Sequence, residues 1–147
     1  MQIKTQFLRD AEKIYNGKFY ATAGSAGFDL KHIGETITIE AGANKLVPTG
    51  IKISIPAGYF LAIYPRSGNS FKHKITLSNA VGVVDSDFRG EINAIIHNLG
   101  DKPFEIQNGD RIAQAILHKY EKIRFDFVKE LDETERGEGG FGSTGVK

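Results

Sequence analysis

Apolar and polar residues alternate with period two along much of the chain. Residues 36–40 read TITIE, Ile51, Ile53 and Ile55 are interleaved with Lys52 and Ser54, and Ile123, Phe125 and Phe127 with Arg124 and Asp126. Successive side chains of a strand point to opposite faces, so each stretch predicts a strand with one face in a core. Further strands are predicted over residues 3–8, 28–31, 59–64, 75–77, 91–98 and 111–119. Turn signals fall between them, in AGAN (41–44), PAG (56–58), NLGD (98–101) and NGD (108–110). Only two short helical segments are expected, near residues 10–15 and 67–72. Many short strands about 8–12 residues apart predict an all-β sandwich or barrel.

Composition strengthens this reading. The chain holds 17 Ile against 8 Leu, and β-branched side chains favour the pleated, half-buried surface of a sheet. Its 147 residues make one domain's worth of chain. The pattern changes after Leu131. Residues 132–147, DETERGEGGFGSTGVK, have only Phe141 and Val146 as large apolar side chains. The expectation is a single β domain over 1–131 and a flexible C-terminal arm over 132–147. Five of the 17 glycines lie in that arm.

Charge and residue types narrow the chemistry. Nineteen basic residues face 18 acidic ones, a net charge of +1, where a nucleic-acid groove usually needs a basic excess. Cysteine is absent, which removes disulfides, thiolate nucleophiles and Cys-bound zinc. The four histidines are scattered without the i, i+4 spacing of helical metal ligands, and are expected to be structural or on the surface. No apolar run approaches the roughly 18 residues of a membrane span. The opening MQIKTQFLRDAEKIY lacks a signal-peptide core, so a cytoplasmic protein is expected.

Five segments carry polar groups suited to chemistry. In VGVVDSDFRGE (81–91) an apolar strand runs into Asp85; this is either a turn rich in Asp and Ser or a carboxylate held on a rigid strand as a general base. In YPRSGNS (64–70), Arg66, Ser67 and Gly68 offer a guanidinium fork, a hydroxyl and an open amide suited to an anion, or an ordinary loop. In NGDRIAQAIL (108–117), Gln114 shares a strand face with Ile112 and Ile116, as a satisfied core amide or one reaching into a site. The arm RGEGGFGSTG (136–145) combines Arg136, glycine amides, Phe141, Ser143 and Thr144, as a flexible end or a lid. It lacks the Walker spacing. TAGSAGFDLK (22–31) leads small residues into Asp29.

Taken in order, SAGFDL, PRSG, NAVGVVDSDFRGE, GDRIAQ and RGEGGFGSTG resemble the five motifs of the homotrimeric dUTPase family (deoxyuridine triphosphate nucleotidohydrolases), across residues 25–145. The resemblance implies a jelly-roll-like β fold and a three-fold trimer with three active sites shared between subunits. Its reaction converts dUTP and water into dUMP and pyrophosphate, limiting uracil in DNA and supplying dUMP for thymidylate synthesis.

The resemblance also implies roles. Asp85 is the catalytic base for a water attacking the α-phosphate. Arg66, Ser67, Gly68 and Gln114 contact phosphates. Asn79 and the 80–84 backbone, with Gly82 and Val84, hold uracil, and Phe88 packs under the deoxyribose. From another chain, Arg136 and the Ser143–Thr144 pair reach the γ-phosphate, Gly142 also contacts the substrate, and Phe141 covers the base. Mg²⁺ bridges oxygens of all three phosphates and meets the protein indirectly through waters, with Asp29 acting on its water shell or on active-site structure.

The chain departs from the family at Phe88, where Tyr is usual, at Asn69-Ser70 in place of Leu-Ala, and at Lys74 in place of Gly. Sugar selection is expected to survive, because the Phe88 ring face still excludes a 2′-hydroxyl. The alternatives are a dCTP deaminase of the same fold group, or a dUTPase with an added regulatory protein partner. The complete arm and the VVDSDF hairpin favour dUTPase.

Overall fold

The computed structural model describes residues 1–140. In chain order the elements are β1 (Thr5–Phe7), α1 (Ala11–Tyr15), β2 (Phe28–Lys31), β3 (Ile37–Ile39), β4 (Asn44–Pro48), β5 (Ile51–Ile53), β6 (Tyr59–Tyr64), α2 (Ser67–His73), β7 (Ile75–Leu77), β8 (Gly82–Val84), β9 (Asn93–Asn98), β10 (Phe104–Ile106) and β11 (Arg111–Lys119). The two helices fall where the sequence places them. All pairings are antiparallel, in a four-stranded sheet β2-β11-β6-β8, a three-stranded sheet β4-β9-β7, and the two pairs β1-β5 and β10-β3. This is the jelly-roll-like all-β fold expected.

The isoleucine-rich alternation becomes the core. Leu30, Ile33, Ile39, Val47, Ile51, Leu61, Ile75, Ile92, Ile96 and Ile106 are buried together from both sheets and both pairs. β9 alternates half-buried and buried residues along its whole length, which is what a strand with one face in the core requires. Among the described residues every buried side-chain N or O atom has a hydrogen-bond partner. Asn98 donates to the carbonyls of Ile39 (2.9 Å) and Lys102 (2.8 Å) and accepts from the Gly100 N–H (2.9 Å), closing the loop after β9. His32, also buried, contacts the Glu35 carbonyl through Nε2 at 2.7 Å, a structural role.

Two strands escape the sequence reading and one predicted strand does not form. β4 has a single buried residue, Val47, and holds its place by its ladder to β9 rather than by burial. It ends in Pro48 at a sheet edge, where a missing N–H is tolerated. β10 is three residues long and pairs only with β3. The strand predicted from the alternation of Ile123, Phe125 and Phe127 does not form among the described residues. β11 ends at Lys119, no strand is assigned over residues 120–140, and the three side chains are 67%, 75% and 94% exposed. Alternation records a face that must be covered; it does not specify that the cover lies in the same chain.

Candidate active site

The four-stranded sheet places the sequence-predicted residues in two clusters on either side of β6. In the first, Gln114 of β11 stands opposite both Asp29 of β2 and Tyr64 of β6. Its Nε2 donates to the Pro65 carbonyl at 3.0 Å, which orients the side chain beside the loop that follows β6. Gly27 lies against it: a Cβ there would sit 2.9 Å from Gln114 Oε1. Gly27, Asp29, Arg66, Ser67, Gly68 and Gln114 line a polar cleft of about 350 Å³.

Asp29 is largely buried, and both its oxygens face arginines. Oδ1 is 3.0 Å from Arg66 Nε, and Oδ2 is 3.6 Å from Arg111 Nη1. Arg66 Nη1 also donates to the Arg111 carbonyl at 3.3 Å. Two guanidinium groups against one carboxylate leave an excess of positive charge beside the cleft, which suits an anion. Arg66 is held through Nε and Nη1, which leaves Nη2 for a ligand. Ser67 and Gly68 are exposed at the start of α2, whose first turn has no side-chain cap.

The second cluster surrounds the turn after β8. Asn79, Gly82, Val84, Asp85 and Phe88 line a cleft of about 240 Å³. A Cβ on Gly82 would come within 3.2 Å of Ile63 and 3.3 Å of Asn79 Nδ2, so the backbone here runs close to β6 and the Asn79 amide. The turn is braced by the Phe88 N–H on the Asp85 carbonyl (3.2 Å) and by Arg89 Nη1 on the Ser86 carbonyl (2.7 Å). A Cβ on Gly90 would collide with the Phe88 ring. Asp85 itself is exposed.

The Asp85 end of the second cluster does not reach Arg66 within one chain. Val84 pairs with Leu61 near the start of β6, while Arg66 follows its far end. At about 3.3 Å per residue the strand separates them by roughly 15 Å. Arg136 lines neither cleft; its Nε donates to the Gly139 carbonyl at 2.8 Å in a turn of its own. Phe141, Gly142, Ser143 and Thr144 lie outside the described residues.

Sequence reasoning missed Arg111 and Gly27. Arg111 is visible in GDRIAQ as a charged residue, but its link to Asp29 depends on the β2–β11 register, where it stands opposite Lys31. Among the described residues no group of three or more His, Asp or Glu side chains is placed to hold a metal ion. With both oxygens facing arginines, Asp29 is fitted to hold the cleft in shape rather than to ligate.

The family model for dUTPase matches residues 18–145. The chain belongs to the dUTPase family. It is 54% identical over 127 residues to the deoxyuridine 5′-triphosphate nucleotidohydrolase of Finegoldia magna, covering 86% of this chain and 89% of that one. The enzyme of the same name from Rickettsia massiliae is 53% identical over 128 residues, covering 86% of each. Among solved dUTPases, that of Streptococcus mutans superposes with a TM-score of 0.70 at 29% identity, over 85% of this chain and all of that one. A mutant dUTPase of Staphylococcus bacteriophage 80alpha, solved with dUpNHpp, superposes with a TM-score of 0.86 over 99% of both chains at 24% identity, a likeness of fold. A mutant dUTPase of phage phi11 from S. aureus is described with a structural Mg(II) ion.

Proposed function

We propose that this protein hydrolyses dUTP to dUMP and pyrophosphate in an active site assembled from several copies of the chain. The observation that carries this reading is the separation of the two clusters. A carboxylate on the β8 turn and a cationic cleft at the end of β6 suit a base and a phosphate site, and one chain does not bring them together. Packing the β8 turn of one copy against the cleft of another would place Asp85 opposite Arg66, Ser67 and Gln114. The homotrimer implied by the family supplies that arrangement, and a closed cyclic assembly is an ordinary solution for a chain of this size.

In the assembled site, Asp85 takes a proton from water. The water oxygen attacks the α-phosphorus in line, the bond to the bridging oxygen breaks, and pyrophosphate leaves. Arg66, Ser67, Gly68 and Gln114 hold the phosphates in that geometry, and Asp29 keeps Arg66 in place. Positioning and charge stabilisation do most of the work in phosphoryl transfer. Mg²⁺ bound to the triphosphate would neutralise its charge. Asn79 and the backbone from Ala80 to Val84 read uracil, and Phe88 on Gly90 forms a flat platform for the sugar. A dry site of fixed amides rejects cytosine, because the reversed donor pattern leaves buried groups unpaired. Arg136 and the segment with Phe141, Gly142, Ser143 and Thr144 close the site from a further copy.

Among the described residues no helix is long and apolar enough to cross a membrane. The reading places the enzyme in the cytoplasm, where it keeps uracil out of DNA and feeds thymidylate synthesis. The test is pyrophosphate release from dUTP with Mg²⁺, for the wild-type protein and Asp85→Asn. A positioned base contributes about 10²–10⁴ in rate; a loss of that size with the assembly intact is expected. An unchanged rate removes Asp85 from this role.

A further inference from the structure

We infer that Asn69 is a positioning residue for the phosphate loop, acting through the backbone carbonyl of Arg111; this rests on reading residues 66–68 as phosphate contacts. Asn69 is a place where the chain departs from the usual family residue, and the fold gives the departure a purpose. Its Nδ2 donates to the Arg111 carbonyl at 3.2 Å. The same oxygen accepts Arg66 Nη1 at 3.3 Å. A carbonyl has two lone pairs, and both are used. The acceptor is free for this because the pairing of β11 with β2 slips between Arg111 and Ala113, and a bulge releases backbone groups from the ladder.

α2 is otherwise anchored mainly at its far end, where the His73 ring packs against Phe104 at 5.4 Å between centroids. It buries none of its residues, and no side chain caps its first turn. Its second half is tied down by Ser70 Oγ, which donates to the Ile75 carbonyl at 3.0 Å. Its first turn, which carries Ser67 and Gly68, is joined to β11 by the Asn69 amide. β11 also carries Gln114. The Asn69 bond therefore sets the distance between the loop's hydroxyl and amide on one side and Gln114 on the other. A leucine of similar volume has no donor to make it. Misplacing a site by about 1 Å costs up to roughly 10²-fold in rate.

The experiment compares wild type with Asn69→Leu, Asn69→Ser and Asn69→Gln. Binding of magnesium pyrophosphate and of deoxyuridine is measured separately by calorimetry, with dUTP hydrolysis in parallel. The Leu and Ser variants are expected to bind pyrophosphate about three- to tenfold more weakly, the share of one neutral hydrogen bond. Their deoxyuridine affinity and melting temperature stay at the wild-type values, and kcat/KM for dUTP falls with pyrophosphate affinity. Gln, which keeps a carboxamide donor, recovers most of the loss. Two results overturn the inference: unchanged pyrophosphate binding in both variants, or an equal loss of deoxyuridine binding. Because α2 buries nothing, the variants keep the core, and Ser stands in should Leu fold poorly. A wild-type protein that fails to hydrolyse dUTP would instead sink the functional reading, while the two binding measurements would still decide the role of Asn69.

Discussion

Gly27 illustrates how a residue without a side chain shapes the cleft proposed to hold phosphate. Its φ is not in the left-handed region, so alanine fits the backbone there; the constraint is the 2.9 Å approach to Gln114 Oε1. The obstacle is the end of a flexible side chain, which can swing away at little cost to folding. Swinging it breaks the bond that Gln114 Nε2 makes to the Pro65 carbonyl. Gly27→Ala is therefore expected to lower kcat/KM for dUTP about 10-fold or more, from one lost orienting bond and a displaced ligand group. Its melting temperature should change by no more than about 2–4 °C, the shift expected for a loss of ~1 kcal/mol. Full activity in this variant would mean that Gln114 does not act from the position it occupies.

At the scale of elements, α1 is pinned to β2 through Tyr15. The ring is fully buried and stacks on Phe19 at 4.8 Å between centroids. Its hydroxyl accepts the Lys31 N–H at 2.8 Å. Burial pushes the phenol up to about 12, from an ordinary value of 10.0. Between those values the unfolded chain has lost the proton and the folded one has kept it. The unfolded state binds fewer protons there, so stability falls as pH rises from about 10 to 12. Chemical denaturation across that range should show the decline in wild type and a smaller one in Tyr15→Phe. The same variant should lose about 1–3 kcal/mol at neutral pH, because the Lys31 N–H is left without its acceptor. A parallel alkaline decline in both proteins would exclude Tyr15 as the group responsible.

Elements also mark the boundary of what the chain reveals before folding. β2, β6, β9 and β11 are legible because each buries alternate residues or a short apolar run, so side-chain chemistry reports the strand. β4 and β10 are not, because their places depend on backbone ladders to β9 and β3, which leave little trace in residue type. The site divides in the same way. Asp85, Arg66 and Gln114 stand out as polar groups at strand ends or on apolar faces. The ion pairs of Asp29 with Arg66 and Arg111, and the Asn69 bond, join residues far apart in sequence through register alone.

The whole molecule is where the unpaired stretch after β11 acquires meaning. Ile123, Phe125 and Phe127 are exposed to solvent, and Val128 and Leu131 follow, also exposed. Elsewhere, Ile3, Phe19, Phe28, Ile53, Leu61 and Leu117 line an open apolar cleft of about 690 Å³. Exposed apolar surface of this kind marks interaction sites, and the proposed active site already calls for a second copy. Burying one Phe side chain contributes about 1.5–3 kcal/mol. Removing two from each of several equivalent interfaces weakens assembly by orders of magnitude, since ~1.4 kcal/mol is a tenfold change. Phe125→Asp with Phe127→Asp is expected to run as a smaller species in light scattering at micromolar concentration. The circular dichroism of the β core should be unchanged, because neither ring belongs to it. dUTP hydrolysis should fall in step with the loss of oligomer and return as protein concentration is raised. Assembly and activity both at wild-type levels would show that this face is not an interface, and would leave Asp85 and Arg66 to be joined by some other contact between copies.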